Sequence, residues 1–496
     1  MNIALENKSA SFCREAFRQT KLIQEHAECI VSDVLEDVGQ IASAEAQICL
    51  KSKELIDHGV QIGAASEISV FYITEGRERV RCMRLSKPIE FEFDCPALSS
   101  DAFVQVTLSC QGVQARAINP RKIAVQITVR ADLNCWAEDS LSIPFGVSEP
   151  SEGLQLRQQN TQSVMTVQLG EKSFVISEQI PLDADEEPCA IVCARSELLC
   201  TDHQIIGSKA LIKGGAQLRI GYETQDGALP RFTEQCLPFS VLVDMPDESC
   251  ALGSVLLQTT ALYAELSDAI NNSRVIELEL HAVAQFSFEK CESIDYLSDA
   301  YCTRCPVIAG EEEASLCRKS AAERLHAGTI EHIQVEEERG LVAASAADIL
   351  SYAVKDGKAV LSASVSLLLC AENGSFSALQ RLVSMETPMP EGEGELVDAR
   401  IIALKAERQG EEIMLNLSCE TDCILTDKNA IRYISSLELD TENAYDSAAM
   451  PSLTLAKKAG RELWEIAKLY NSSVEAIGAL NDKYTLPGDL LLIPRV

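Results

Sequence analysis

The residues best suited to chemistry are two cysteines in the run Cys302-Thr303-Arg304-Cys305. A Cys-x-x-Cys pair can bind zinc or can cycle between dithiol and disulfide. Zinc requires four ligands, usually from a second Cys pair or a His pair, and thioredoxin-type chemistry requires its own α/β setting. Cys291 and Cys317 are nearby, but they form no second pair at zinc-site spacing. The sequence leaves metal binding, a disulfide and two plain buried thiols open here, and we assign no metal site.

No other pattern in the sequence indicates catalysis. The chain has no Gly-rich phosphate loop ending in Lys-Ser or Lys-Thr, no Gly-x-Ser-x-Gly nucleophile elbow and no His-Glu-x-x-His zinc helix. The six histidines are spread along the chain. We therefore predict a protein that is not an enzyme and that carries no cofactor.

Composition and charge limit the classes of function. The chain has 496 residues and a formal net charge of -32, which disfavours binding to nucleic acid or to an anionic membrane surface. The length implies several domains, and a hydrophobic fraction of 46% is typical of globular protein. From Met450 onwards, six Lys or Arg stand against five acidic residues, so this end carries +1 and the rest about -33. This asymmetry predicts an acidic body and a tail with separate roles.

The N-terminus and the hydropathy pattern predict a cytoplasmic protein. Ile3-Ala4-Leu5 is followed at once by Glu6 rather than by the apolar run of a secretion signal. No stretch approaches the roughly twenty apolar residues of a membrane span. The 19 cysteines are odd in number and scattered, which favours reduced thiols that act as small core residues.

The body of the chain contains an internal duplication. Residues 88–96 align without a gap with residues 238–246, and both segments alternate in polarity before an Asp-x-Pro ending. This pattern predicts a half-buried strand closed by a turn. A third, weaker copy has strand-like segments at 365–369 and 413–419 and a Pro-Met-Pro ending at 388–390. We predict a mainly β protein with three β-rich, sandwich-like repeats, at residues 10–136, 165–290 and 318–441.

The last part of the chain predicts a small α+β module. Four apolar residues recur at helical spacing and predict a first helix: Leu463, Ile466, Ala467 and Tyr470. A second helix is predicted from Val474, Ile477 and Leu480, with Ser472 or Ser473 as its N-cap and a capping box from Ser472 to Glu475. The apolar run from Leu490 to Ile493, stopped by Pro494, predicts a closing strand.

This strand-helix-helix-strand order, with Gly460 and Pro487-Gly488 at the ends of the strands, resembles a LysM module at residues 450–496. LysM modules typically bind N-acetylglucosamine polymers such as peptidoglycan through two loops. The resemblance implies that the docking or glycan-binding residues are Gly460, Arg461, Glu462, Leu463, Trp464, Leu486, Pro487, Gly488, Asp489 and Leu490. The family usually has Asp-Thr or Asp-Ser where this chain has Arg461-Glu462. A protein and a glycan therefore both stay open as the target.

Trp464 has two interpretations. It is either a core residue of the first helix or an exposed anchor on its rim, since aromatic anchors are enriched in binding hot spots. The usual burial of large aromatic side chains favours the core.

Three β-rich repeats, with Asn119-Pro120-Arg121-Lys122 in the first, followed by a LysM-like tail, resemble the SPOCS-domain proteins of spore-forming Firmicutes. The order is most similar to that of the SipL-type spore-coat morphogenetic proteins, and the resemblance covers nearly the whole chain. It implies an assembly factor for the endospore coat, in the mother-cell cytoplasm at the forespore surface. Its partners would be the morphogenetic ATPase of the coat basement layer, reached through the LysM module, and other coat proteins. The alternative is a peptidoglycan-binding protein.

Overall fold

A computed structural model describes residues 1–95, 98–182, 187–225, 227–268, 274–336, 339–391, 394–446, 451–484 and 488–496. Over these residues the protein is mainly β. Long antiparallel strands fill the chain as far as Leu439, and a small segment with two helices follows.

The first unit contains six strands in two three-stranded antiparallel sheets. The strands are β2 (Leu5–Ile30), β3 (Val38–Ile56), β4 (Gly59–Thr74), β5 (Val80–Asp94), β6 (Phe103–Asn119) and β7 (Lys122–Val147). One sheet has the order β2-β7-β6 and the other has the order β3-β4-β5. A two-residue strand, β1 (Asn2–Ile3), precedes the unit.

Two further units repeat this connectivity. The second contains β8 (Leu154–Pro181), β9 (Pro188–Ile206), β10 (Lys209–Thr224), β11 (Arg231–Asp244), β12 (Ala251–Asp268) and β13 (Arg274–Cys302). The third contains β14 (Val307–Gln334), β15 (Arg339–Lys355), β16 (Lys358–Ala371), β17 (Phe376–Pro388), β18 (Gly394–Gln409) and β19 (Glu412–Leu439). In each unit the first strand pairs with the sixth and the sixth with the fifth, while the second to fourth form a meander.

Each unit has a sandwich and a ribbon formed by its first and sixth strands, and at the end of the third ribbon β1 also pairs with β19. In the first unit, β6 pairs with β7 only as far as Trp136, and β7 continues to Val147 with β2 as its partner. The predicted boundaries at residues 136, 165, 290 and 318 therefore fall inside strands of 26 to 29 residues. Strands in globular proteins usually have about five or six residues, so the sequence pattern gives no sign of strands this long. Division of the chain into independent domains stays a prediction.

Alternation of side chains explains the sandwiches. In β7, buried and partly exposed residues alternate from Lys122 to Cys135, so one face of the strand lies in the core. Tyr72 and Phe93 from one sheet and Ile127 and Leu133 from the other belong to a single buried cluster. The two sheets of the first unit therefore pack face to face around a common core.

The three units also share apolar contacts. In the ribbons, Ile143 of the first unit, Tyr296 of the second and Tyr433 of the third lie in one buried cluster. In the sandwiches, Phe71 of the first unit and Phe376 of the third lie in another, together with residues of the second. Each unit therefore packs against the other two.

Buried polar side chains join the first and second units. β6 is an edge strand of its sheet, so its outward backbone groups need partners. Gln285, which is fully buried, accepts a hydrogen bond from Val106 N at 3.0 Å and donates one to Val106 O at 2.7 Å. Gln258 accepts one from Leu108 N at 2.9 Å. Side chains of the second unit thus take the place of a neighbouring strand.

The tail contains β20 (Leu453–Lys457), α1 (Leu463–Leu469), α2 (Val474–Lys483) and β21 (Leu490–Pro494), and the two strands pair antiparallel. Ser473 is the N-cap of α2 and accepts a hydrogen bond from Ala476 N. The predicted capping box from Ser472 is wrong, because Ser472 lies one residue before the cap and its hydroxyl donates to the Pro494 carbonyl. Neither helix in the described part of the chain is long and apolar enough to cross a membrane.

Candidate functional site

Pairing of β20 with β21 brings the two predicted loops together. Lys458 N donates a hydrogen bond to Asp489 O at 2.7 Å, next to the end of the β20–β21 ladder. Gly460 and Gly488 have φ angles of +77° and +72°, and a Cβ atom at either position would meet open space. Glycine suits these positions because of the left-handed backbone and not because of crowding.

The described members of the predicted site lie at one end of the tail. Gly460, Arg461, Glu462, Gly488 and Asp489 are exposed, and Leu463, Trp464 and Leu490 are partly buried. Leu486 and Pro487 fall outside the described residues.

The first loop contacts the second unit of the body. Glu462 is the N-cap residue of α1, but its side chain makes no capping hydrogen bond. Instead, its carboxylate accepts a hydrogen bond from the Arg157 guanidinium at 2.7 Å and forms an ion pair with it. Glu462 therefore contacts the body instead of capping the helix.

Trp464 and Lys468 of α1 meet on one carboxylate of β13. The Trp464 indole donates to one oxygen of Asp299 at 2.7 Å, and Lys468 Nζ donates to the other at 2.6 Å. The Trp464 ring also packs edge-on against Tyr301, with ring centroids 4.9 Å apart. Trp464 therefore has features of both a core residue and a contact residue, because it packs against the core of the tail and also contacts the body.

Tyr301 belongs to the body but lies in the core of the tail. Its side chain is only 5% exposed and packs in the same cluster as Ile466, Ala467 and Ile477. The hydroxyl donates to Ser472 O at 2.8 Å. Burial, and then the charge of Asp299, raise the pKa of Tyr301 to about 12.

We call this set of contacts the latch. It consists of Arg157, Asp299 and Tyr301 on the body and Glu462, Trp464, Lys468 and Ser472 on the tail. Sequence reasoning found two of the tail residues and none of the body residues. The partners lie 165 to 305 positions apart, so no local pattern could have joined them.

The latch gives a pH prediction. Burial alone would raise the pKa of Asp299, but hydrogen bonds from Lys468 and Trp464 outweigh burial and lower it below the usual value of 3.8. Because docking lowers the pKa of Asp299, ionised Asp299 stabilises the docked state at any pH above the ordinary carboxyl pKa. This stabilisation is lost as the pH falls through the lowered pKa of the docked state. We expect tail docking to stay constant from about pH 8 to about pH 5 and to weaken below about pH 4.

Fluorescence of Trp464 in a Trp136→Phe background would measure this docking, because the chain has two tryptophans. Asp299→Asn is the matched control, and it should flatten the acid transition. An identical acid transition in both proteins would contradict the assignment to Asp299.

Cys302 is the last residue of β13 and Cys305 lies between β13 and β14, next to the latch. They are 2% and 4% exposed and pack against Leu439. Burial, and then the neighbouring Cys302, raise the pKa of Cys305 to about 11, which disfavours a reactive thiolate. Cys291 is exposed on β13, and the side chain of Cys317 is outside the described part. Among the described residues, no group of three or more metal-binding side chains accompanies the pair.

A cavity of about 1240 Å³ lies between the three units. Most of the residues that line it belong to β3, β6, β9, β12, β15 and β18, which are edge strands of their sheets. Both signs of charge are present, and some pair with one another: Arg324 lies 2.9 Å and Arg400 lies 3.5 Å from Asp422. The lining therefore favours no particular ligand charge, and the latch end of the tail is the better defined candidate site.

The architecture is thus a three-unit β body that holds a small helical tail through a specific interface. No protein-family model, curated protein or solved structure matches the chain.

Proposed function

We propose that the chain is a non-enzymatic assembly factor of the endospore coat that docks on a coat-basement ATPase through its LysM-like tail. The proposal rests on the resemblance of the repeats and tail to SPOCS-domain spore-coat proteins. The latch shows the kind of contact that the tail makes with protein. Glu462, Trp464 and Lys468 hold the chain's own body through ion pairs, an indole hydrogen bond and aromatic packing, which are interactions common in protein interfaces. Because the latch engages these residues, the ATPase would bind a surface of the tail that the latch leaves exposed.

The body suits the role of a scaffold in this proposal. Its three units pack on one another through apolar clusters and buried hydrogen bonds, so they hold a fixed geometry. The net charge near -33 outside the tail favours basic or neutral partners among the other coat proteins. The mother-cell cytoplasm at the forespore surface is the compartment that the resemblance implies.

Peptidoglycan binding is the second candidate. The two loops with Gly460 and Gly488 lie side by side, and exposed Asp489 offers a hydrogen-bond acceptor for a sugar hydroxyl. Against this candidate, Glu462 and Trp464 at the first loop are engaged with Arg157 and Asp299.

A binding experiment separates the two candidates. We expect the full chain to bind the purified coat-basement ATPase, a chain ending at Asp446 to bind it much more weakly, and the full chain to release no heat with N-acetylglucosamine oligomers. Biolayer interferometry and calorimetry are the measurements. Micromolar sugar binding without ATPase binding would support the glycan candidate and reject the proposal.

A further inference from the structure

The latch covers one side of the tail and leaves an apolar sheet face on another. Leu455 of β20 lies directly opposite Leu492 of β21, and Leu453 lies opposite Pro494. Residues directly opposite in an antiparallel pair share a face, so these four side chains lie together, with Leu490 beside them. Leu453 and Leu455 are 50% and 57% exposed. The inner face, with Ala456 and Ile493, packs on the helices instead.

The two edges of this small sheet differ. On β21, the Asn481 side chain accepts from Leu492 N at 2.9 Å and donates to Leu492 O at 2.6 Å. The backbone groups of Leu492 therefore point away from β20, and this edge is closed. Within the described residues, β20 has no strand partner other than β21.

The hydrogen-bond register identifies which groups of β20 face outward. Because Leu492 points away from β20, Leu455 and Leu492 form a non-hydrogen-bonded pair, and the backbone groups of Leu455 also point away from the ladder. Lys458 N donates to Asp489 O and Arg495 N donates to Ser452 O, so hydrogen-bonded pairs flank the ladder at both ends. The alternation of bonded and non-bonded pairs is therefore the same along the whole of β20. The N–H and C=O groups of Leu453, Leu455 and Lys457 therefore face outward in one row, and no described strand pairs with that row.

Positive charge flanks this row. Lys457 is the last residue of β20, Lys458 follows it, and Arg461 lies in the first loop; all three are exposed. Asp489, also exposed, is the acidic residue directly opposite Lys458. The local balance is basic, whereas the body is strongly acidic. An acidic partner segment is attracted to this end of the edge.

We propose that the partner adds an extended, acidic segment as a third strand on the open edge of β20. Alternate apolar residues of that segment pack on the Leu453–Leu455–Leu492 face, and its acidic residues lie near Lys457, Lys458 and Arg461. Backbone pairing supplies affinity and the alternate side chains supply specificity, as in other strand additions. The inference rests on the proposed function, and it adds that the coat-basement ATPase binds the tail through a strand paired with β20. The latch stays closed in this mode, because α1 and β20 use different surfaces.

Hydrogen–deuterium exchange of the full chain, with and without purified ATPase, tests the register. We expect the amides of Leu453, Leu455 and Lys457 to become protected in the complex. The amide of Lys458, which already bonds Asp489 O, serves as the internal reference. ATPase binding that leaves those three amides unprotected overturns the inference and leaves the proposed function standing.

Substitution provides the second arm. Leu455→Pro removes an outward donor without removing a bond of the β20–β21 ladder, and proline is tolerated on strand edges. We expect ATPase binding to weaken about tenfold or more. Leu455→Ile, the matched control, should bind within about twofold of the unsubstituted chain. Trp464 fluorescence checks that the latch stays closed, and if Leu455→Pro unfolds the tail, the exchange experiment decides.

Lys457→Glu reverses one charge of the flank and should weaken binding, more so at low salt. Equal affinity of Leu455→Pro with an intact tail contradicts strand addition. Failure of the unsubstituted chain to bind the ATPase rejects the proposed function, and this inference with it.

Discussion

Replacement of Tyr301 by alanine should detach the tail from the second unit while the three units stay folded. Tyr301 is 5% exposed and fills the space between Trp464 and the core of the tail. Truncation of a buried aromatic residue costs about 3–5 kcal/mol. Because Tyr301 packs on the tail, we expect this loss in the free energy of docking and not in the stability of the sandwiches. Hydrogen exchange should show tail amides with markedly lower protection, and the amides of β7 and β19 unchanged.

Tyr301→Phe is the control for this experiment. It keeps the ring packing against Trp464 and removes only the hydroxyl bond to Ser472 O, so we expect a loss of about 1 kcal/mol. If Tyr301→Ala left the protection of the tail unchanged, the latch would not hold the tail in solution.

Replacement of Gln285 by alanine should destabilise the body by about 3–5 kcal/mol. The substitution leaves the N–H and C=O groups of Val106 buried without their partner, and Lys53 Nζ loses an acceptor at 2.9 Å. Each unsatisfied buried group costs about 1–3 kcal/mol. Chemical denaturation monitored by circular dichroism measures the loss.

Gln168→Ala is the matched control, because Gln168 is exposed on β8, the strand that pairs with β13. It should change the free energy of unfolding by less than about 0.5 kcal/mol. Equal stability of the two variants would mean that water replaces the Gln285 side chain at the edge of β6.

The sequence predicted the local elements well where one face is buried. Residues 88–94 lie in β5 and 238–244 lie in β11, because alternating polarity matches a strand with a single core face. Leu463, Ile466 and Ala467, which were predicted from helical spacing, likewise lie in α1. The place of Tyr470 on that buried face is wrong, because Tyr470 is the C-cap residue and is 40% exposed. These patterns depend on neighbours within a few positions, and such neighbours can be read from the chain.

Long-range features could not be predicted in this way. The ribbon part of β7 beyond Trp136 is buried only where it meets the other ribbons, so its pattern gave no boundary. Gln285 looks like an ordinary strand residue until the edge of β6 is placed against it. Asp299 and Tyr301 likewise gain their roles from a segment far along the chain.

The latch explains why Glu462, at the N-cap position of α1, does not cap the helix with its side chain. A capping Asp or Ser is worth about 1 kcal/mol at a helix N-terminus. In this chain Glu462 occupies that position and pairs with Arg157 on the body. The helix end gives up a local bond and gains an interface contact.

Three units of identical connectivity in one chain carry a single tail, attached to the second of them through Asp299 and Tyr301. A homotrimer of such units would present three equivalent attachment points. The three units differ in sequence, and among the described residues only the ribbon of the second unit provides these two contacts to the tail. Each chain therefore has one tail in one orientation relative to its three units, and a partner held by that tail would meet the body in a single orientation rather than in one of three.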